Sequence, residues 1–330
     1  MFCSRFCVTL PEKNNMFKYR KFILPLILIT IILMMNSCIT ATVGGSFYMV
    51  NYALKPTKNR ADTALKFKQV CRHYPEVKPW MDSLRQHHAI TDTFLYMSTG
   101  ERHHAYVIRH TPNNTRRAVL IHGWRDQGMG MMMIARIYEK ELGYDVLVPD
   151  LHAHGLSEGK RIGMGWKERH DILEWMEHFK TDTMVVHGIS MGAATTMNVS
   201  GEPMPVGIRS IKFVEDCGYT SVWDEFKHEM KSQFKLPPFP LLYGASIVCG
   251  MKDGWRFKKA SPLKQVAKCP YPMLFIHGDK DRFVPFEMVH PLYNNKKGDK
   301  ELWVTKGTVH AWSYHDYPEE YVARLRAFLQ

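Results

Sequence analysis

The chain has 330 residues, which is enough for one large α/β domain with appendages. Its apolar fraction of 45% and charged fraction of 23% are ordinary for a globular protein, and its seven scattered cysteines, without C-x-x-C pairs, argue against a disulfide or metal framework. The net charge of +12 is no nucleic-acid signal, because residues 1–70, with ten Lys/Arg against two Asp/Glu, carry +8 of it. We therefore expect no nucleic-acid partner.

The first predicted element is a long apolar segment near the N-terminus. No charged residue occurs from Phe22 to Leu54, and about 20 apolar residues suffice to span a bilayer. We therefore predict a single-pass transmembrane signal-anchor at 22–54, behind an N-terminal tail at 1–21 in which Met16 resembles a natural start. Basic residues flank both ends of the apolar run, and the closer cluster before it favours an extracytoplasmic location for the rest of the chain. They are Lys18, Arg20 and Lys21 before the run and Lys55, Lys58 and Arg60 after it.

Two other interpretations of this segment stay open. A cleaved signal peptide fits less well, because no A-x-A-like site follows the apolar core. A lipoprotein signal would place a lipid on Cys38, within Met35-Asn-Ser-Cys38, but Met35 and Asn36 match that pattern poorly.

From residue 55 onward, strand and helix patterns alternate. Residues 55–90 are predicted to be a linker and a leading helix, and strand-like runs on both sides of Thr99-Gly100-Glu101 indicate a hairpin. Later strands are predicted at 117–121, 145–149, 184–187, 211–214, 271–276 and 301–305, and amphipathic helices at 134–142, 167–180, 287–294 and 321–329. This alternation predicts a doubly wound, mostly parallel sheet, with one domain over 91–330.

A segment at about 219–262 interrupts the alternation after the sixth predicted strand. It is rich in aromatic residues and proline, and we interpret it as a cap with an apolar mouth over the site. The candidate substrate contacts are Trp124, Trp223 and Phe239. The alternative is a helical excursion on the surface that touches no substrate.

The strongest local signal is the stretch from Met184 to Thr196. A short apolar run of buried-strand type leads into Gly188-Ile-Ser190-Met-Gly192 and then into small, helix-compatible residues. This is G-x-S-x-G in the strand–turn–helix context that it requires. The turn is so tight that side chains at the two glycine positions would collide with backbone, while the serine hydroxyl is exposed at its tip. Ser190 is therefore the predicted nucleophile.

A serine hydroxyl needs a base within hydrogen-bond reach, and that base needs an acceptor that fixes its tautomer. Behind such an elbow the chain order is serine, acid, histidine. Asp281 follows an apolar strand in His277-Gly-Asp-Lys-Asp281, and His310 follows the last strand. We predict Asp281 as the acid and His310 as the base.

Each of these two assignments has rivals. Asp279 is expected to cap a turn, and Asp216 follows the strand after the elbow, where an acid can also stand. His315 competes with His310 but lies five residues further from the strand. Three strand-end histidines are interpreted as structural: His122, His187 and His277.

Taken together, these motifs resemble those of the α/β-hydrolase superfamily over about residues 90–330. Within it, the chain is similar to membrane-anchored bacterial serine hydrolases related to the dipeptidyl-aminopeptidase and acylaminoacyl-peptidase branch. The motifs of the superfamily are His122-Gly123, Pro149-Asp150 to Gly159, Gly188 to Gly192, His277 to Asp281 with Val284-Pro285, and His310; those of the branch are Glu215 to Asp224 and Gly163 to Trp166. The chain departs from the commonest pattern at His152-Ala153-His154, where Arg-Gly-His is usual.

The resemblance implies a role for five residues. The nucleophile falls on Ser190, the acid on Asp281 and the base on His310. The backbone N–H groups of Trp124 and Met191 correspond to the oxyanion hole, which is often the largest electrostatic contribution to acyl transfer. No metal or organic cofactor is expected.

Three functions follow as hypotheses. The preferred one is a serine esterase that forms an acyl-enzyme on Ser190 with a small-molecule or short-peptide acyl substrate. The second is a peptidase or aminoacyl-amide hydrolase, which needs a pocket for an amino terminus, and the sequence shows no clear pair of carboxylates for it. The third is an idle, membrane-tethered binding module, against which the complete set of Ser, Asp and His argues.

Overall fold

The computed structural model describes residues 13–330, and side chains from Phe22 onward. The first 12 residues of the predicted tail lie outside the described part. The chain opens with one long helix, α1 (Lys13–Leu54), which contains the whole predicted signal-anchor. Its segment Phe22–Leu54 has a mean hydropathy of 2.5 and is, among the described helices, the one long and apolar enough to cross a membrane.

An eight-stranded sheet forms the centre of the molecule. Its spatial order is β1-β2-β4-β3-β5-β6-β7-β8, in which β1, β2 and β4 pair antiparallel and all later neighbours pair parallel. The strands are β1 (Ile90–Tyr96), β2 (Arg102–Ile108), β3 (Arg116–Ile121), β4 (Asp145–Pro149), β5 (Thr183–Ile189), β6 (Ser210–Asp216), β7 (Met273–Gly278) and β8 (Lys300–Thr305). The predicted mostly parallel sheet is confirmed.

Both faces of this sheet are buried, which is why its strands are almost continuously apolar. On β3, Val119 and Ile121 join the core on one face, whereas Ala118 and Leu120 join the core on the other. The helices that come after α1 and before β6 in the chain are α2 (Thr63–His73), α3 (Val77–Gln86), α4 (Met132–Arg136), α5 (Glu168–His178) and α6 (Met191–Ser200). The doubly wound arrangement is therefore confirmed as well.

The helix predicted at 134–142 is more irregular than its apolar spacing indicated. A 3₁₀ turn at Gly128–Met131 leads into α4, and a π-helical turn at Ile137–Glu141 follows. The buried carboxylate of Asp150 accepts a hydrogen bond from the Gly128 N–H (2.6 Å), which ties the start of this segment to the end of β4.

Three helices lie between β6 and β7 and form the region predicted to be a cap. They are α7 (Val222–Ser232), α8 (Leu241–Asp253) and α9 (Pro262–Val266). Three more complete the domain: α10 (Val289–Asn295), α11 (Ser313–Asp316) and α12 (Pro318–Leu329).

The last turns of α1 pack against α8 and belong to the folded domain. Ser46 donates a hydrogen bond to the Leu241 carbonyl (3.3 Å), and a Cβ on Gly45 would lie 2.7 Å from the Leu241 side chain. Val50 and Leu54 are fully buried. By contrast, every side chain from Phe22 to Ala41 is exposed.

Candidate active site

The turn between β5 and α6 has the geometry of a nucleophile elbow. Ser190 sits in the left-handed half of backbone space, with φ 59° and ψ −120°. A Cβ on Gly188 would lie 2.0 Å from the Gly192 carbonyl oxygen, and a Cβ on Gly192 would lie 2.0 Å from that of Ile121. Only glycine fits at these two positions, and the close packing holds the Ser190 side chain at the carboxyl end of the parallel strands.

The structure brings Ser190, His310 and Asp281 together in one hydrogen-bonded row. Nε2 of His310 lies 2.8 Å from Oγ of Ser190, and Nδ1 of His310 lies 2.6 Å from Oδ2 of Asp281. In this arrangement Asp281 accepts from Nδ1–H, which leaves Nε2 free to accept the serine proton.

Asp281 stands in surroundings that favour its ionised form. Burial alone would raise its pKa, but hydrogen bonds from His277 and His310 outweigh burial and keep the pKa below its usual value. The backbone N–H groups of Phe283 and Val284 also donate to Oδ1, at 2.9 and 3.0 Å. A fixed carboxylate of this kind can orient the imidazole and stabilise its protonated form.

The two rival acids bind other groups. Asp279 accepts from the Gly307 N–H at 2.6 Å, so it contacts the loop after β8 and not the turn that directly follows it in the chain, where it was expected to act as a cap. Asp216 accepts from Tyr321 (2.9 Å) and Ser313 (3.3 Å), and burial raises its pKa to about 6. Neither carboxylate is hydrogen-bonded to His310.

The other histidines are held away from the serine. His315 contacts Asp316, and His187 lies between the hydroxyls of Tyr138 and Tyr321 at 3.1 Å each. Burial lowers the pKa of His187 to about 3, so its ring is neutral. His277 lies behind Asp281, with Nε2 at 3.1 Å from the Val284 carbonyl.

Two neutral histidines shape the loop after β3, where one oxyanion donor is predicted. His122 Nε2 accepts from the Leu151 N–H (3.0 Å), and His154 Nε2 accepts from the Arg125 N–H (3.1 Å). Burial lowers the pKa of both rings. His154 stands in the stretch that departs from the common pattern, and it supports the backbone next to Trp124.

This loop runs beside the serine. A Cβ on Gly123 would lie 3.4 Å from the Ser190 Cβ, so the next N–H, that of Trp124, is close to the elbow. Within residues 13–330, the N–H groups of Trp124 and Met191 make no hydrogen bond to protein. Two free N–H groups beside a serine are suited to a developing oxyanion.

An apolar pocket with a cavity volume of about 70 Å³ lies beside Ser190. Its walls come from α6, the cap helices and, unexpectedly, the end of α1. The α1 residues Met49, Tyr52 and Ala53 face Phe226, Met230 and Phe234 of the cap region. Nothing in the sequence indicated that the predicted signal-anchor would line this pocket, because the whole segment from Phe22 to Leu54 lacks charged residues.

Two carboxyl groups in the pocket wall were missed by the sequence analysis. Glu225 and Glu229, one turn apart on α7, both line the pocket. Burial raises the pKa of Glu225 well above its usual value and also raises that of Glu229. Oε2 of Glu225 is buried and, among the described residues, has no hydrogen-bond partner. Their i, i+4 spacing in the sequence could have indicated two neighbouring carboxyl groups in a site, but the same spacing is equally typical of a solvated helix face.

Of the three predicted substrate contacts, Trp124 lines the pocket and the other two do not. Trp223 packs edge-on against Tyr243, with ring centroids 4.8 Å apart. Phe239 is 70% exposed on the outer side of the cap.

Two groups of side chains in the described chain could hold a metal ion by spacing alone. One is Glu101, His103 and His152, on the hairpin and the loop after β4. The other is Cys217, Asp281 and His310. Burial raises the pKa of the Cys217 thiol well above its usual value, which disfavours the thiolate that would bind a metal.

A family model described as the alpha/beta hydrolase family matches residues 118–324. The chain therefore belongs to that family, and it is a hydrolase. It is also similar to the uncharacterised protein YqkD of Bacillus subtilis, with 28% identity over 224 residues, covering 66% of this chain and 72% of that protein.

Solved structures agree with this assignment. The esterase Pf2001 of Pyrococcus furiosus superposes with a TM-score of 0.58 and 25% identity, covering 73% of this chain and 91% of that one. The esterase EaEST of Exiguobacterium antarcticum superposes with a TM-score of 0.52 over 72% of this chain and 98% of its own, and its 17% identity shows the fold alone.

Proposed function

We propose that the protein is a serine hydrolase that cleaves a carboxylic ester, or a related acyl bond, through an acyl-enzyme on Ser190. The observation that carries the proposal is the position of His310, whose two ring nitrogens lie 2.8 Å from Ser190 Oγ and 2.6 Å from Asp281 Oδ2. This is the arrangement that turns a serine hydroxyl into a nucleophile at neutral pH.

In the first half of the reaction, Ser190 Oγ attacks the carbonyl carbon while His310 Nε2 takes the hydroxyl proton. The carbonyl oxygen becomes an oxyanion, for which the N–H groups of Trp124 and Met191 are the candidate donors. As the bond to the leaving oxygen breaks, His310 passes its proton to that oxygen. Asp281 keeps the imidazole oriented and balances its charge.

In the second half, water attacks the acyl-enzyme with the same histidine as base. His310 takes a proton from the water, the bond from the carbonyl carbon to Oγ breaks, and the proton returns to Ser190 Oγ. The carboxylic acid leaves, and the enzyme is restored.

The test is fluorophosphonate labelling of the detergent-solubilised full-length protein. We expect wild type to be labelled and Ser190→Ala to lose labelling and ester hydrolysis, because the probe reacts only with an activated serine. Ser83→Ala, a change at an exposed serine on α3, is the matched control and should label like wild type. Ester hydrolysis by Ser190→Ala at the wild-type rate would sink the proposal.

A second candidate is an aminoacyl-ester or peptide hydrolase of the same mechanism. Glu225 and Glu229 favour it, because a carboxylate pair in the pocket could bind a substrate ammonium group. Burial raises the pKa of both carboxyls and so favours their neutral form, and a pocket without charge suits an ester that has no ammonium group. Hydrolysis rates of the p-nitrophenyl esters of alanine and butyrate distinguish the two candidate functions, because only the alanine ester carries an amine that the carboxylates could bind.

We also propose that α1 anchors the protein in a membrane as a single pass, with the hydrolase domain on the extracytoplasmic side. Twenty successive exposed side chains, Phe22–Ala41, and the basic cluster before them support this proposal. Sedimentation with membranes after carbonate washing is the expected result. Intact-mass spectrometry that shows a cleaved chain, or a lipid on Cys38, would contradict the anchor.

A further inference from the structure

Two cavities of different character meet at Ser190. The apolar pocket described above contains Ser190 but not His310. A second, more open groove contains both Ser190 and His310, and its lining is mixed: Lys66, Gln69 and Asp126 stand beside apolar residues such as Met133 and Trp312. The histidine must hand its proton to the leaving oxygen. The leaving group therefore belongs in the mixed groove beside His310, and the acyl group belongs in the apolar pocket.

The apolar pocket lies close to the point where α1 leaves the domain. Residues 22–44 extend about 34 Å as a helix, which is enough for a hydrocarbon core of about 30 Å. The docked part begins with Gly45 and Ser46 against Leu241. Met49, Tyr52 and Ala53 follow within nine residues, so the pocket wall lies roughly 8–14 Å beyond the end of the exposed segment.

Between the end of α1 and the end of α7, contacts between side chains form the boundary of the pocket. The Tyr52 and Phe234 rings meet edge to face with centroids 5.4 Å apart, and the Tyr52 hydroxyl donates to Gln233 Oε1 at 3.3 Å. The chain then runs from Phe234 to Leu241, beside the point at which α1 leaves the domain. These contacts are between side chains, so rotamer changes at Tyr52 and Phe234 would leave the backbone hydrogen bonds of the sheet intact.

The outer surface of the cap fits a lipid surface. Phe239 and Met251 are each 70% exposed, and Tyr243 and Ile247 about half exposed, at four-residue intervals. Within 222–262, all of which the structure describes, every fully exposed charged side chain is basic: Lys227, Lys231, Lys235, Lys252, Arg256, Lys258 and Lys259. Apolar side chains fringed by cations bind anionic bilayers.

We propose that the substrate is a membrane amphiphile whose fatty acyl chain enters the apolar pocket from the bilayer side, past Tyr52 and Phe234, while its polar part leaves through the groove beside His310. This inference rests on the proposed serine-hydrolase function. It adds the class of acyl group, a long aliphatic chain, and its source, the bilayer in which α1 is anchored.

The experiment uses the full-length protein in vesicles of phosphatidylglycerol and phosphatidylcholine, with p-nitrophenyl esters from acetate to palmitate. We expect kcat/KM to rise roughly fourfold per buried CH₂ until the pocket is filled. Ala245→Phe fills the pocket wall and should lower the laurate-to-butyrate ratio of kcat/KM by about tenfold or more. Phe234→Ala removes the ring that contacts Tyr52 and should raise the palmitate-to-butyrate ratio of kcat/KM.

Ala323→Phe is the matched control, because Ala323 is exposed on α12 and should leave the ratio unchanged. Fluorophosphonate labelling of each variant reports whether its site is assembled, and Phe234→Ala carries the test if Ala245→Phe does not label. A wild type that labels but prefers butyrate or alanine esters over laurate overturns the fatty-acyl inference alone. A wild type that neither labels nor cleaves any ester overturns the proposed function, and this inference with it.

Discussion

Asp279 and Asp281 lie two residues apart on one loop and contact different groups. Asp281 accepts from His310, whereas Asp279 accepts from the Gly307 backbone. The resemblance to the family motif assigned the acid to its second aspartate, Asp281, and the contact with His310 agrees with that assignment. From the sequence, only the motif pattern made Asp216 a weaker candidate than Asp281 for the acid. In the structure, Tyr321 and Ser313 donate hydrogen bonds to the carboxylate oxygens of Asp216.

This pair gives a sharp prediction at the level of single residues. Asp281→Asn should lower kcat for an ester by about 10³–10⁴-fold, because the amide no longer fixes the productive tautomer of His310. Asp279→Asn removes a carboxylate of the same size from the same loop and should stay within a few-fold of wild type. Steady-state kinetics on one ester measures both, and equal losses in the two variants would contradict the assignment.

Glu215 provides a prediction about pH and stability. It is fully buried, and burial raises its pKa to about 8. The folded state then binds the proton more tightly than the unfolded state does, so its stabilising contribution is complete below the unfolded pKa of about 4.5 and is lost as the pH rises toward 8.

Glu215→Gln removes that titration. The variant should gain up to roughly 4 kcal/mol in the free energy of unfolding relative to wild type at pH 9, and the gain should be smaller at pH 5. Urea unfolding at the two pH values measures it. Glu177→Gln, at an exposed site, is the control; a gain for Glu215→Gln that does not depend on pH would contradict the explanation.

At the level of helices and strands, α1 is the element whose role changes most. As a sequence it is one run without charged residues, in which polar and small residues occur at several places, such as Asn36-Ser37 and Gly44-Gly45-Ser46. The point at which a membrane segment would end and a packed helix begin was therefore not predicted. In the structure the change falls at Gly45 and Ser46, where small residues let α8 approach closely. Beyond them, Val50 and Leu54 are buried in the domain core.

Two fragments test this division of α1. A fragment of residues 45–330 should fold and be labelled by fluorophosphonate, whereas 55–330 should melt on the order of 10 °C lower or fail to fold. The second fragment loses the burial of Val50 and Leu54, each worth about 1.5–3 kcal/mol, and the bond from Trp124 Nε1 to the Ala53 carbonyl. Thermal unfolding and labelling measure the difference, and identical behaviour would mean that α1 is dispensable to the domain.

Other elements show what local patterns can and cannot predict. Strand positions were predicted within a few residues, because strands buried on both faces need continuous apolar runs. A regular helix was predicted at 134–142, whereas the structure has α4 at Met132–Arg136 and a π-helical turn at Ile137–Glu141. The 3₁₀ turn before α4 is held by the contact between Asp150 and Gly128, which joins residues far apart in the chain and leaves no local pattern. The same limit explains Trp223 and Phe239, whose aromatic character gave no information on the direction of their side chains.

For the whole molecule, the order of strands and helices was enough to predict the sheet, because crossovers between parallel strands allow few topologies. The meeting of Ser190, Asp281 and His310 was predictable for the same reason, since all three follow the carboxyl ends of parallel strands. The pocket was not predictable, because it is assembled from three distant parts of the chain: the end of α1, the loop after β3 and the cap.

The docking of α1 also makes this helix a spacer of defined length. No flexible linker separates its exposed part from the turns that line the pocket, and a helix advances 1.5 Å per residue. In the proposed membrane-anchored arrangement, adding one turn before Gly45 would raise Ser190 by about 5.4 Å above the bilayer, and deleting one would lower it by the same amount. The number of residues ahead of Gly45 would then set the height of the candidate active site over the membrane, and that number can be changed without altering any residue of the site.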